Sequence, residues 1–126
     1  VEAANTVATE QESYFAQMRL SRQNARDEAV SLLQETMAYA EGEGVNHSSE
    51  KLEAILSDAL AESQIESLVI AKGYTDCVAY IADNAISVAV AAPEGGLQKQ
   101  DVAVISDIVV TQSNFKMDQI YVVEVK

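Results

Sequence analysis

Between positions 73 and 126 the hydrophobic residues change period twice without an intervening linker, from strand to helix and back to strand, and that succession restricts the fold more than any other feature of the chain. Residues 76–82 (Asp-Cys-Val-Ala-Tyr-Ile-Ala) and 85–90 (Ala-Ile-Ser-Val-Ala-Val) read as two short strands. Asp83 and Asn84 stand between them, and both residue types tolerate the positive φ angles of a two-residue hairpin turn. Pro93, Glu94, Gly95 and Gly96 then release the chain into residues 101–109, where Val102, Ile105 and Val109 recur at helical intervals. That run is rich in β-branched residues, which favour strands; its periodicity and the polar Asp101, Ser106 and Asp107 decide for helix. Residues 120–125 alternate again. A strand, strand, helix, strand unit is expected.

Upstream, residues 12–41 contain neither Gly nor Pro, and Met18, Ala25, Ala29, Leu32 and Thr36 mark a helical stripe with Leu33 and Met37 beside it. A long amphipathic helix follows from this spacing. On its polar face Arg19, Arg22 and Arg26 line up, and no acidic residue lies three or four positions from any of them. Guanidinium groups without local partners suit carboxylates elsewhere, either on the glutamate-rich second helix or on another molecule. Gly42 and Gly44 break the pattern, and Ser48 or Ser49 offers an N-cap. Leu52, Ile55, Leu56, Ala59, Ile65, Leu68 and Val69 then carry a second helix to a stop at Gly73. The expected class is α+β, a long N-terminal helix followed by α-β-β-α-β with a three-stranded sheet. Residues 1–11, small and polar, read as a flexible lead-in, and residues 12–126 as one domain.

Period-two alternation assigns the strand faces. Ile86, Val88 and Val90 share one face of the second strand and Ala85, Ser87 and Ala89 the other; on the last strand Tyr121, Val123 and Val125 oppose Ile120, Val122 and Glu124. Ala85, Ser87, Ala89, Ile120, Val122 and Glu124 are the expected partner-facing set, together with Arg19, Arg22 and Arg26. Such a face carries less charge than water would favour on a chain with 20 acidic and 8 basic residues, net −12, and a partner or second protomer is expected to cover it. The same charge repels phosphate backbones, which sets nucleic acid aside. A KH-type nucleic-acid module is excluded twice, by the charge and by the missing Gly-x-x-Gly clamp.

Nothing in the chain assembles catalytic chemistry. His47 is the lone histidine, in a Gly/Ser/Asn stretch read as loop, with no second ligand at metal-binding spacing. Cys77 has no base nearby to activate it and no second cysteine for a disulfide. The glycine pair at 95 and 96 lacks the Lys-Ser/Thr of a phosphate loop. No enzyme activity, metal or cofactor is expected, and no apolar run approaches the roughly 20 residues of a membrane span.

Four stretches also resemble a known family when taken in order: residues 13–26 (Ser-Tyr-Phe-Ala-Gln-Met-Arg-Leu-Ser-Arg-Gln-Asn-Ala-Arg), 65–74 (Ile-Glu-Ser-Leu-Val-Ile-Ala-Lys-Gly-Tyr), Asp107-Ile-Val109 and the terminal Glu124-Val-Lys126. They resemble the ectodomains of the stage III sporulation protein AH family over residues 12–126. The resemblance implies a ring-building-motif fold shared with basal-body ring proteins of secretion systems. It implies a non-enzymatic role in the channel, or feeding tube, between mother cell and forespore. The implied partners are the ectodomain of stage II sporulation protein Q, other stage III sporulation ring proteins and further copies of the chain in a ring. It also implies anchoring in the mother-cell membrane by an upstream helix that this chain lacks, with the domain facing the forespore across the intermembrane space. Two rival expectations stand beside it: a ring subunit of a secretion machine unconnected with sporulation, and a ligand-sensing domain using residues 93–97 with Glu94, Gln98 and Lys99 as a pocket.

Overall fold

Asp83 and Asn84 adopt φ angles of 53° and 61°, the left-handed pair that lets two residues join strands with the natural sheet twist. The hairpin they close has β1 at Cys77–Ala82 and β2 at Ala85–Ala91. In this computed structural model, which describes residues 9–39 and 42–126, the order is α1 (Glu10–Tyr39), α2 (Glu43–Ala71), β1, β2, α3 (Lys99–Gln112), a 3-10 turn (Met117–Gln119) and β3 (Ile120–Val125). β2 is central, antiparallel to β1 and parallel to β3, with α3 as the crossover that a parallel pair requires. The α+β fold is the one expected.

α3 forms despite its β-branched content because its ends and one face are well supplied. Gln98 N–H donates to Asp101 Oδ2 (2.7 Å) in a capping box, and the Tyr74 hydroxyl donates to Asp101 Oδ1 (2.6 Å), tying the helix start to the chain entering β1. Ile105, Ile108 and Val109 are buried against Ile65 and Val69 of α2 and against Ile86, Val88 and Val90 of β2. Gly96 makes the approach possible. It sits at φ 82°, and a Cβ there would lie 2.8 Å from Glu124 Oε2, the atom that accepts a hydrogen bond from Leu97 N–H (2.6 Å).

Several expectations need correcting. α1 begins at Glu10 rather than after residue 11: Thr9 and Glu12 form a reciprocal capping box, Thr9 N–H to Glu12 Oε1 at 2.9 Å and Glu12 N–H to Thr9 Oγ1 at 3.0 Å. Gln11 is already part of the domain, its amide donating to Val125 O (3.0 Å), and residues 1–8 of the expected lead-in lie outside the described residues. α2 begins at Glu43, so Ser48 is a buried helix residue rather than a cap, and His47 is an exposed helix residue rather than part of a loop. The α1 stripe is also rotated. Leu32 stands 57% exposed, while the inward face runs through Gln11, Phe15, Met18, Arg22, Arg26, Ala29, Leu33 and Met37. Phe15, fully buried, is its anchor.

Candidate partner-binding surfaces

The sheet has two faces and both carry apolar residues. One is covered by α2 and α3. The other is covered in part by the first turns of α1, where Phe15 and Met18 pack over Val78, Ala89, Ala91 and Val125. Helix α1 is thus the covering that the sequence left to a partner. Past that cover the register aligns Tyr80, Ser87 and Tyr121 across all three strands, with Tyr80 and Ser87 half-buried and Tyr121, with Val123 beside it, exposed. Tyr121 is 57% exposed and Val123 is 36% exposed.

The expected partner-facing set is therefore divided. Ala85 and Ser87 stand half-buried on the open side, but Ala89 is fully buried under α1. Ile120 and Val122 lie on the other face, packed against the α2–α3 core, because the parallel register sets Ile86 beside Ile120 and Val88 beside Val122. Glu124 shares that face, its carboxylate occupied by Leu97 N–H. Tyr121 and Val123, assigned by alternation to the opposite side, are the last strand's contribution to the open surface.

The three arginines come together, and they do so inside the domain. Arg26 donates to Glu62 Oε1 (2.6 Å), Arg22 to Glu66 Oε2 (2.5 Å) and to Ala79 O (2.7 Å), and Arg19 pairs with Asp76 while lying 5.8 Å over the Phe15 ring. Both Arg22 and Arg26 turn inward, correcting their assignment to a polar face. Long aliphatic stems let an arginine run through an apolar seam and deliver its charge at the far side. Glu62 is 1% exposed, and every one of its contacts is spoken for: Arg26, Arg22 at 3.9 Å, and Ile81 N–H at 2.8 Å.

These carboxylates sit on the outer side of β1 for a reason the hairpin dictates. With Ala82 and Ala85 as the closing pair, Val78 and Tyr80 bond to β2, whereas Cys77, Ala79 and Ile81 point their N–H and C=O groups away from it. Each outward N–H meets a carboxylate: Cys77 to Asp76 Oδ1 (2.8 Å), Ala79 to Glu66 Oε2 (2.8 Å), Ile81 to Glu62 Oε2 (2.8 Å). Across the sheet the situation is reversed. Ala92 N–H donates to Val125 O (2.8 Å), which fixes the parity of β3 so that Val122 and Glu124 direct their backbone groups outward. No hydrogen bond from the described residues meets them.

Hollows and reactive groups add little chemistry. A cavity of about 440 Å³ does open around Pro93, Gly95, Gly96 and Leu97, but the Glu124 carboxylate within it is engaged by Leu97. Cys77 is buried; burial, with the nearby Glu66 and Asp76 charges, pushes its thiol up to about 12, far from a reactive thiolate. Among the described residues no group of three or more His, Cys, Asp and Glu side chains could hold a metal, and no helix is long and apolar enough to cross a membrane.

Known proteins place this geometry in context. The profile of SpoIIIAH-like proteins matches residues 1–122. A chain of the solved SpoIIQ–SpoIIIAH pore-forming complex superposes with a TM-score of 0.75 at 20% identity, over 88% of this chain and 96% of that one. EscJ, a type III secretion system protein of enteropathogenic E. coli, superposes with a TM-score of 0.51 at 24% identity, over 68% of this chain and 56% of EscJ. Curated proteins gave no match. The structural likenesses establish the fold, a ring-building α+β arrangement.

Proposed function

This chain belongs to the SpoIIIAH-like protein family, and from that premise we propose that it is a non-enzymatic component of the channel between mother cell and forespore in a sporulating bacterium, binding a SpoIIQ-type ectodomain from the opposite membrane. On this reading it is anchored in the mother-cell membrane by a segment outside the chain and projects into the intermembrane space. It joins other copies or related ring proteins around the channel axis.

The observation that carries the reading is the uncovered end of the sheet. The outward backbone groups of Val122 and Glu124 lie next to exposed Tyr121 and Val123, which together offer a strand edge with an apolar flank. Main-chain hydrogen bonds add a partner strand to such an edge without requiring special side chains, and the flanking aromatic supplies the buried contact that strengthens it. The likeness to a chain of the SpoIIQ–SpoIIIAH complex supports that partner class, and the likeness to EscJ supports assembly around an axis.

Mixing the domain with the soluble SpoIIQ ectodomain from the same organism, and following mass by light scattering on a sizing column, tests the reading. A co-eluting complex is expected, weakened by Tyr121→Asp or Val123→Asp. Ala89 and Val122 are unsuitable probes because both support the core. Separate elution at high micromolar concentration would overturn the proposal.

A further inference from the structure

The two edges of this sheet are treated differently, and the difference lies in side chains rather than in strand length. β1 has six residues, as does β3. An unpaired edge of that length is a template for another chain, and proteins blunt such edges with charge, bulges or a covering element. Here every outward N–H of β1 from Cys77 to Ile81 is taken by a carboxylate, from Asp76, Glu66 and Glu62. The outward carbonyl of Ala79 is taken by Arg22, and Arg19 reaches that of Cys77 at 3.5 Å. Arg22 to Glu66 and Arg26 to Glu62 then bind the two helices to each other along the same line.

We infer that α1 and α2 act together as an edge guard: their arginine–glutamate ladder closes β1 to strand addition, leaving β3 as the edge that accepts a strand. The sheet is thereby monovalent. A strand received at β3 cannot be relayed through β1 to a further molecule, so sheet continuation stops after one addition, and contacts between successive copies must use other surfaces. The guard also has a latent counterpart. With it removed, β1 fits a second copy of this chain, since setting Ala79 against its own equivalent places Cys77 opposite Ile81 in an antiparallel, isologous pairing that satisfies both partners identically.

The test uses the double variant Arg22→Ala/Glu66→Ala, which removes a charge pair together and frees both the N–H and the C=O of Ala79 while leaving Arg26 with Glu62. Light scattering of this protein alone, across a concentration series, should reveal dimer formation beyond anything the unmodified domain shows. Glu66→Gln, which keeps an acceptor for Ala79 N–H, should behave like the unmodified domain. A folded double variant with unchanged mass would overturn the latent self-pairing through Ala79; the guard itself, which keeps Asp76 on Cys77 and Glu62 on Ile81 in this variant, is decided by amide exchange. Amide exchange in the unmodified domain gives an independent reading should the double variant fail to fold. Ala79 and Ile81 should exchange at least an order of magnitude more slowly than Val122 and Glu124, and equal rates would overturn the guard. Neither experiment contains the SpoIIQ ectodomain, so a failure of the proposed function leaves both results standing.

Discussion

Glu62 concentrates the chemistry of the fold in one side chain. A buried carboxylate is tolerated only when paired and hydrogen-bonded, and it has both an arginine and a strand N–H. Removing the partner alone should therefore hurt more than removing both: Arg26→Met is expected to cost about 3 kcal/mol in urea unfolding, with Arg26→Met/Glu62→Met costing clearly less. Cys77 and Tyr74 both make stability fall at alkaline pH. Burial raises the thiol from 9.0 to about 12, and burial, with the Asp101 hydrogen bond, raises the phenol from 10.0 to about 12. Above pH 9 the folded chain thus holds protons that the unfolded chain has lost, and stability must fall as pH rises toward 12. Cys77→Ala should flatten the early part of that decline, as read from thermal midpoints at pH 8 and pH 10. A midpoint slope identical in the variant would mean the thiol does not contribute.

Elements were legible in the sequence where their signal is local. The Asp83–Asn84 turn, the periodicity that makes residues 101–109 a helix, and the stop at Gly73 all act within a few positions, and all appear as read. What is not legible locally depends on distant contacts. The faces of β3 were paired wrongly with those of β2 because alternation gives two faces without saying which matches a strand reached through a helical crossover. The stripe of α1 was misphased because arginines count as polar in any periodicity argument, yet Arg22 and Arg26 line the seam. The start of α1 does carry a local signal, the Thr9-x-x-Glu12 capping box.

At this scale Phe15 fastens α1 to the sheet. Phe15→Ala should cost about 3–5 kcal/mol and loosen the helix from Val78 and Ala89, visible as faster amide exchange along α1 than along α3. Gly96 holds the other junction: Gly96→Ala combines a left-handed φ with a contact on Glu124, and should cost about 1–3 kcal/mol, against a smaller loss for Gly95→Ala, where nothing lies within 4 Å of the new methyl. Chemical denaturation of the pair decides between strain with contact and strain alone.

Among the described residues the molecule is a sheet with one side and one edge taken by its own helices, and a second edge and part of a face left open. At about 1.5 Å per residue the 30 residues of α1 extend roughly 45 Å, about twice the reach of a six-residue strand. Family membership says what such a molecule is kin to. Geometry leaves Tyr121 and Val123 of β3 exposed, and the proposal places the partner there. Amide exchange of the domain before and after mixing with the SpoIIQ ectodomain tests that link most directly: protection of Val122 and Glu124 on mixing, with Ala79 and Ile81 slow throughout, is the predicted result, and a complex that forms while leaving Val122 and Glu124 exchanging freely would contradict docking at β3.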